Sequence, residues 1–438
     1  MKNKLPLLFL TICSLTLSGC NTSSGNHSSN KEEEEEELTQ KEMPIFRIDT
    51  ENATPITSKE EYVNGTLSIS NTEEHDASEL TLGIRGRGNY SWSGTEKKSY
   101  RIKFDKKYQP LGQGKGPAKS WTLLAVHCDK TLLRTDAAFY FAHKLSNLSF
   151  TSSSSFVQLY LNGKYDGVYE LCDQMQVNKY RVDIDDTGEE EDIGYLLELD
   201  KNASEDVVYL SSGETYELKS DHQNEAQMNF IANYMQDCEN AIVGGNQSTV
   251  ANLIDLPSAV DAYLVEELFK NLDVGWGSFY YTKPAGEKLR FGPVWDFDLC
   301  AGNADSDDSR TTKSFRDYKY TYVGNSYYSN YMQQHTWYLS LRKKSWFNNM
   351  IKTRWFEIKD YALDTVKHIK DMSTIYHDEF EKNFDRWKIF NKKINREPSN
   401  IMAIKSFDGQ VEFLTEWLTN RIEWLDGYYK GTNQDIKK

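Results

Sequence analysis

Two aspartates, Asp273 and Asp296, are the residues of this chain with the clearest capacity for chemistry. They enclose a stretch, DVGWGSFYYTKPAGEKLRFGPVWD, in which Ser278–Thr282 and Lys288–Val294 are rich in β-branched or aromatic residues. A Pro284-Ala285-Gly286 turn lies between these runs and predicts a β-hairpin. With a loop of about four residues, the register of the hairpin brings the two aspartates together at its open end. Because two close carboxylates repel each other, the pair is expected either to share a metal ion or to divide acid and base roles.

The segments on either side of this hairpin are predicted to hold the two aspartates in place. Before the hairpin, Ser258 is expected to cap an amphipathic helix that ends near Asp273, because glycines follow at once. The helical spacing is carried by Val260, Tyr263, Leu264 and Leu268. After the hairpin, strand alternation sends Asp298 to the same side as Asp296. The alternative is that these acids serve only as helix caps and turn residues.

A glycine-rich, basic stretch lies upstream in an otherwise acidic chain. Residues 83–89 read GIRGRGN and predict a bend between two strands. The following SYRIKF alternates strictly, so Tyr100, Ile102 and Phe104 are expected to face the core. The basic residues of this region are Arg85, Arg87, Lys97, Lys98, Arg101 and Lys103. Phosphate groups suit such a cluster beside glycines with exposed backbone N–H groups, and a merely solvated strand face is the alternative.

The N-terminus is predicted to direct the protein across a membrane. Basic residues precede an apolar run, Leu5–Leu17, that is too short for a membrane span. The ending Leu17-Ser18-Gly19-Cys20 resembles a bacterial lipobox. This resemblance implies that residues 1–19 are a lipoprotein signal peptide and that Cys20 is lipidated, which anchors the protein outside the cytoplasm on the bacterial cell membrane. An ordinary cleaved signal peptide is the alternative.

Composition distinguishes a predicted tether from a folded part and indicates which classes of binding partner fit the charge. Residues 20–41 are Ser- and Asn-rich and then run through six glutamates, which predicts a disordered acidic tether. The formal net charge is −15, and loss of two lysines with residues 1–19 makes it −17. Binding to nucleic acid is therefore not expected, because lysine and arginine drive it, whereas a basic protein partner fits the charge.

Residues 42–438 are predicted to be one α+β domain, with a β-rich N-terminal part and a helical C-terminal part. The predicted elements are a core helix at Leu132–Leu145, a hairpin of Phe156–Leu161 and Gly167–Leu171 around Asn162-Gly163, a strand at Gly194–Asp200, a helix at Gln223–Asn240, and long helices from Tyr338 to Tyr429. Four cysteines in this part, Cys128, Cys172, Cys238 and Cys300, could form up to two disulfides or stay free.

Several of these motifs occur in the same order and spacing as in the CotH-type protein kinases of spore coats and secreted proteins. They are GIRGRGNYSW, KKSYRIKFDKK, WTLLAVHCDKTLLRTDAAFYFAHKL, VQLYLNGKYDGVYELCDQ, NLDVGWGSFYYTK and VWDFD. The chain resembles that family from about Gly65 to Trp424, which is nearly all of the mature protein.

The resemblance implies an atypical protein-kinase-like fold that transfers the γ-phosphate of ATP to serine of a serine-rich, basic, secreted or surface protein, with Mg²⁺ or Mn²⁺. By motif matching, Asp273 takes the catalytic position, and Asp296, assisted by Asp298, takes the metal position. Arg87, Lys98 and Lys103 fall in the part of the family that covers the nucleotide phosphates. These parts are what phosphoryl transfer needs, namely clamped phosphates, a metal ion and an acid that orients the hydroxyl. A Walker-type phosphate loop is absent from the sequence.

Two positions depart from the family pattern and keep other functions open. Ser278 stands where an asparagine is frequent, and Asp173 stands where a longer glutamate is frequent, so that Glu170 or Glu198 is expected to replace it in a lysine–acid pair. A cell-surface binding or assembly module without catalysis is therefore an alternative. A nucleotidyl transferase that moves AMP, and a glycoside hydrolase built on paired carboxylates, are two further alternatives.

Overall fold

In the computed structural model, the structure describes residues 41–305, 311–315, 319–320, 333–334 and 336–432. The predicted signal peptide, the lipidation at Cys20 and all of the predicted tether before Lys41 lie outside the described residues. The described residues belong to one compact unit. They are β-rich in the N-terminal part and helical in the C-terminal part, which confirms the predicted α+β class.

The N-terminal part is a closed β-barrel. Its strands are β1 (Ile45–Thr50), β2 (Val63–Ser70), β3 (Ala77–Arg87), β4 (Ser99–Tyr108), β5 (Ala118–Leu124), β6 (Ser154–Leu161) and β7 (Lys164–Asp173). The ring order is β1-β2-β3-β4-β5-β7-β6, and β1 pairs with β6 in parallel to close it. The strict alternation in β4 has the predicted effect, because Tyr100, Ile102 and Phe104 are buried in the barrel while Lys103 is exposed.

The glycine-rich stretch was expected to be a bend, and this expectation is wrong. It is the last part of β3, where Gly83 pairs with Lys103 and Arg87 pairs with Ser99. A Cβ atom on Gly86 would lie 2.4 Å from the Trp92 ring, so glycine is needed there for close approach of the ring rather than for a turn. The chain turns only after β3, through a short helix, α1 (Tyr90–Ser93).

The predicted hairpin of β6 and β7 is confirmed. Its turn residues Asn162 and Gly163 have φ values of 50° and 73°. Two successive positive φ angles are what a two-residue type I′ turn requires, and asparagine followed by glycine tolerates them best.

A second sheet and a set of helices form the rest of the described chain. The sheet has the order β12-β11-β8-β10-β9, with β8 (Tyr195–Leu199), β9 (Val207–Tyr209), β10 (Thr215–Leu218), β11 (Phe279–Lys283) and β12 (Arg290–Phe291). A small pair joins β13 (Lys319–Tyr320) and β14 (Gln333–Gln334). The further helices are α2 (Arg134–His143), α3 (Glu225–Gly244), α4 (Gln247–Leu253), α5 (Leu256–Phe269), α6 (Thr336–Arg342), α7 (Ser345–Ile375), α8 (His377–Arg386), α9 (Ser399–Ala403) and α10 (Phe407–Lys430). Short 3₁₀ turns lie at Glu51–Ala53 and Pro110–Gly112.

Helix α5 positions Asp273, the first of the two aspartates. Its N-cap is Asp255, whose side chain accepts a hydrogen bond from the Ser258 N–H at 2.9 Å, so the prediction of Ser258 as the cap is wrong. The Ser258 hydroxyl instead accepts a hydrogen bond from the Phe291 N–H. The helix is buried on nearly all sides, and it ends at Lys270, a left-handed residue three positions before Asp273.

The hairpin between the two aspartates is shorter than the sequence predicts. Strand β11 begins at Phe279, and β12 contains only Arg290 and Phe291, which pair with Thr282 and Tyr281. The ladder stops there because Pro293 has no N–H to donate. Gly292 still donates a hydrogen bond to the Tyr280 carbonyl on β11 at 2.9 Å, but the residues from Pro293 to Phe297 leave the sheet. The position of Asp296 is therefore set by its loop rather than by strand alternation.

Two further properties of the described residues concern the state of the cysteines and the character of the helices. All four cysteines that it contains are buried and free, which decides between the two states that the sequence left open. Among the described residues, no helix combines the length and the apolar character needed to cross a membrane.

Candidate functional site

The structure brings three carboxylates, those of Asp273, Asp296 and Asp298, to one place. One oxygen atom from each lies within 4.8 Å of the corresponding oxygen atoms of the other two, and all three side chains are partly buried. A set of three carboxylate oxygens is the kind of donor set that Mg²⁺ and Mn²⁺ prefer. These residues therefore fit a divalent metal ion.

Asn271 joins the two chain segments that carry the aspartates. Its Oδ1 accepts a hydrogen bond from the Asp273 N–H at 3.2 Å, and its Nδ2 donates one to the Asp296 carbonyl at 3.2 Å. The Asp273 carbonyl accepts further hydrogen bonds from the N–H groups of Trp276 and Gly277, at 2.8 and 3.1 Å. The loop after α5 is thus a tight turn that places Asp273 against the loop of Asp296.

Asp296 has an uncommon backbone conformation, with a φ of 66°. The left-handed region is costly for most residues and is tolerated best by aspartate, asparagine and glycine. Ser278, which also has a positive φ (57°), donates a hydrogen bond from its hydroxyl to Asp296 Oδ2 at 3.2 Å. The surrounding contacts hold this conformation and direct the carboxylate toward the other two.

The electrostatics of the three acids favour a bound cation. Burial raises the pKa of Asp296, while the nearby Arg87 guanidinium and the Ser278 hydroxyl pull that pKa down. Burial, together with the carboxylates of Asp296 and Asp273, holds the pKa of Asp298 well above its usual range. A divalent ion would reverse this mutual repulsion, because it stabilises the ionised form of each ligand.

Arg87 lies near Asp296, one of the three acids. Its guanidinium carbon is 5.7 Å from the centroid of the Trp295 ring, and its charge acts on Asp296 and on Tyr280. The ring holds the flat guanidinium at the end of β3, where the barrel meets the acidic loop. Of the three cations that the resemblance assigns to the phosphates, Arg87 is the one whose charge acts on an aspartate of the cluster, Asp296.

The structure places the other two predicted phosphate residues elsewhere in the barrel. Lys98 donates hydrogen bonds to the carbonyls of Trp92 and Thr95 and so fixes the turn after β3. Lys103 is exposed, with its Nζ 6.0 Å from the centroid of the Tyr62 ring. The contacts described for these two lysines do not include the three aspartates, and their roles stay predictions.

A neighbouring lysine, Lys97, is fully committed to structure. Its Nζ donates hydrogen bonds to the carbonyl of Ala125 at 2.8 Å, to Asn383 Oδ1 at 3.0 Å and to the carbonyl of Val168. Burial lowers the pKa of Lys97 to about 7. This side chain ties the barrel to α8 and is not free to reach a ligand.

The three acids considered for a lysine–acid pair, Asp173, Glu198 and Glu170, each have a different environment. Asp173 pairs with Arg181 at 3.1 Å, and both side chains are nearly fully buried. Glu198 pairs with Lys219 at 3.0 Å. Glu170 is fully buried, and its two oxygens have no hydrogen-bond partner within the described part of the chain.

Three residues of the site carried no assigned role from sequence alone. Asn271 stands two positions before Asp273, and this nearness is a signal that could have found it. Cys128 and Asn303 are 175 residues apart, and Asn303 Nδ2 donates hydrogen bonds to the carbonyls of both Cys128 and Asp298. Their spacing follows no periodicity, so no sequence pattern points to them.

Comparison with known proteins agrees with this geometry. The family described as CotH kinase protein matches residues 84–425, which is most of the chain and includes Arg87, Asp273, Asp296 and Asp298. A search among curated proteins gives no match.

Proposed function

Since the chain belongs to the CotH kinase protein family, we propose that it is a metal-dependent protein kinase that transfers the γ-phosphate of ATP to serine. The observation that carries the proposal is the meeting of three aspartate oxygens within 4.8 Å of one another, with the charge of Arg87 acting on Asp296. Phosphoryl transfer needs little covalent chemistry from the protein, because positioning and charge stabilisation do most of the work.

Each residue of the site has a role that follows from its position. Asp296 and Asp298 would hold Mg²⁺ or Mn²⁺, which when bound neutralises charge on the phosphate oxygens. Asp273 would orient the serine hydroxyl and accept its proton, and the loop that Asn271 holds keeps this carboxylate in place. Arg87 would contact the phosphates, with its guanidinium plane supported by Trp295.

The setting of the proposed reaction rests on the sequence. The lipobox-like ending at Cys20 supports a lipid anchor on the outer face of the cell membrane. The acceptor would then be a secreted or surface protein, and the net charge of −17 after signal removal favours a basic, serine-rich one.

The test is transfer of label from ATP to a serine-rich basic protein by the mature chain, with Mg²⁺ or Mn²⁺. Asp273→Asn keeps the size of the side chain and removes its charge, and we expect it to lower transfer at least about 100-fold, as for loss of a general base. Asp105→Asn is the matched control, because Asp105 is exposed on β4 and lies outside the three-acid cluster. Equal transfer by wild type and Asp273→Asn with both metals would refute the proposal for that acceptor.

The position of the label separates two reactions at the same site. Label in the γ-phosphate should appear in the acceptor if the enzyme is a kinase. Label in the α-phosphate should appear instead if it transfers AMP.

A binding or assembly module without catalysis is the second candidate, and the state of Asp173 favours it. This acid is occupied by Arg181 and by the Ser153 hydroxyl, so it does not orient a cation over phosphates. Thermal unfolding with ATP and Mn²⁺ discriminates, because a ligand at about 100 times its Kd stabilises by about 2.7 kcal/mol. An unchanged Tm at millimolar nucleotide, together with absent transfer, would favour this candidate.

A further inference from the structure

The residue that ends α5, Lys270, combines two features that are each unfavourable on their own. Its backbone is left-handed, with φ 48° and ψ 51°, a conformation that glycine or asparagine usually provides at the end of a helix. Its side chain is also fully buried, where an ammonium group loses its hydration. Residues held in such an uncommon conformation cluster at functional sites, and Lys270 lies three positions before Asp273.

The ammonium group of Lys270 binds a short piece of chain that follows the acidic loop. Its Nζ donates hydrogen bonds to the Thr311 carbonyl at 3.1 Å and to the Ser314 hydroxyl at 2.8 Å. Both acceptors belong to residues 311–315, which we call the anchor segment and which lie between Asp298 and α6 along the chain. Lys270 therefore joins the end of α5 to a segment that begins 41 residues later.

The anchor segment is itself held by helix α10. Arg421 of this helix is fully buried, and its Nη1 donates to the carbonyls of Thr312 and Ser314 at 2.9 and 2.5 Å. Its Nη2 donates to the carbonyl and to Oε1 of Glu267, in the last turn of α5, at 2.9 and 2.6 Å. One arginine thus fixes both the anchor segment and the end of α5 to the same long helix. Movement of either one would break buried, charge-assisted hydrogen bonds.

The residue after Lys270 passes this fixed position on to the candidate site. Asn271 Nδ2 donates a hydrogen bond to the Asp296 carbonyl at 3.2 Å, and Asn271 Oδ1 accepts one from the Asp273 N–H at 3.2 Å. A chain of hydrogen bonds therefore runs from the anchor segment through Lys270 and Asn271 to the backbone of Asp273. The position of the Asp273 carboxylate depends on every link of this chain.

We propose that Lys270 is a positioning residue for Asp273, with the anchor segment as its fixed point. The inference rests on the proposed function, because it assumes that Asp273 orients the serine hydroxyl. Loss of the ammonium group releases the end of α5 from the anchor segment, and a misplacement of about 1 Å in a reacting group lowers the rate about 100-fold. Binding of ATP should change little, because Arg87 lies on β3 and Asp296 keeps its hydrogen bond from Ser278.

The first measurement is the steady-state kinetics of label transfer from ATP to a serine-rich basic protein with Mn²⁺. Lys270→Met keeps a long unbranched side chain without the ammonium group, and we expect it to lower kcat about 10- to 100-fold. The KM for ATP should stay within about 3-fold of wild type, because the lost interaction acts on the reacting step and not on nucleotide binding. Ser314→Ala removes the hydroxyl acceptor and leaves the Thr311 carbonyl, so it should lower kcat by less, about 3- to 10-fold, again with little change in KM.

The second measurement, hydrogen exchange followed by mass spectrometry, does not depend on activity. Without nucleotide or metal, the peptide that contains residues 270–277 should exchange faster in Lys270→Met than in wild type, because its hydrogen bonds open more often. Lys283→Met is the matched control. Lys283 is 1% exposed at the turn end of the hairpin, and its Nζ also donates to a side chain and a carbonyl, those of Asp192 at 2.6 Å and Pro284 at 3.0 Å. This control should lower the Tm but leave kcat and the exchange of residues 270–277 unchanged.

The outcomes separate the positioning role from the proposed function. Wild-type kcat in Lys270→Met, or an equal fall of kcat in Lys283→Met, overturns the positioning role while Asp273→Asn still abolishes transfer. If Lys270→Met does not fold, Ser314→Ala decides alone, and wild-type kcat in that variant overturns the positioning role. If Asp273→Asn transfers label as wild type does, the proposed function is wrong, and the role of Lys270 is wrong with it.

Discussion

Replacement of Glu170 by glutamine should change the pH dependence of stability in a way that the structure specifies. Glu170 lies on β7 with its side chain fully buried, and its oxygens have no hydrogen-bond partner within the described residues. The nearby Ser154 hydroxyl donates its proton to Asp136 at 2.6 Å. Burial, followed by the carboxylates of Asp136 and Asp129, raises the pKa of Glu170 well above its usual range.

The sign follows from proton linkage. Because the pKa is higher in the folded than in the unfolded chain, Glu170 binds its proton more tightly when folded, and this contribution to stability is complete below the unfolded pKa of about 4.3. It is lost as the pH rises from there through the raised folded pKa. Within that window each pH unit costs about 1.4 kcal/mol. Glutamine does not titrate, so Glu170→Gln does not lose stability from this source.

Urea unfolding of wild type and Glu170→Gln at several pH values between about 4.5 and 7.5 measures the effect. The free energy of unfolding of the variant minus that of wild type should grow by up to about 1.4 kcal/mol per pH unit. The buried amide of glutamine is expected to shift this difference by the same amount at every pH. The change of the difference with pH is therefore the quantity that tests the prediction. Glu412→Gln, at an exposed position on α10, should show no slope. Parallel curves for wild type and Glu170→Gln would refute the reasoning.

Three other substitutions have expected outcomes. Arg134→Met leaves Asp129 buried without its ion-pair partner, so urea unfolding should show the free energy of unfolding lowered by about 3 to 5 kcal/mol. A loss below about 1 kcal/mol would contradict the buried ion pair. Arg87→Met should weaken ATP binding at least about 10-fold in calorimetry, because a charge-assisted contact is lost, and this effect should exceed that of Lys98→Met or Lys103→Met. An equal or larger effect of either lysine substitution would show that Arg87 is not the main phosphate contact. Gly86→Ala places a Cβ atom 2.4 Å from the Trp92 ring and should cost about 1 to 3 kcal/mol by overpacking, whereas an unchanged Tm would show that the ring moves freely.

Local patterns in the sequence were sufficient for several elements. The alternation of β4 and the Asn162-Gly163 turn depend only on neighbours within a few residues, and both predictions are confirmed. The meeting of Asp273 with Asp296 also follows from a short loop, although the register and the strand lengths differ because Pro293 ends the ladder.

Other predictions failed where a distant side chain decides the conformation. Residues 83–87 extend β3 because Trp92 packs against Gly86 and β4 pairs alongside. The cap of α5 is Asp255 because the Ser258 hydroxyl is used by Phe291 from the hairpin. In both places a local signal for a turn or a cap was outweighed by a tertiary contact.

The sequence by itself determined which residue types are available, the α+β order, the two hairpins, and that one hairpin brings Asp273 and Asp296 together. The tertiary structure alone decided that β1 closes the barrel against β6, that Arg87 comes close enough to Asp296 to lower its pKa, and that Asn303 joins the backbone of Asp298 to that of Cys128. The physical reason is range: periodicity and turn chemistry act over a few residues, whereas a contact between loops 175 residues apart exists only once buried packing has brought them together.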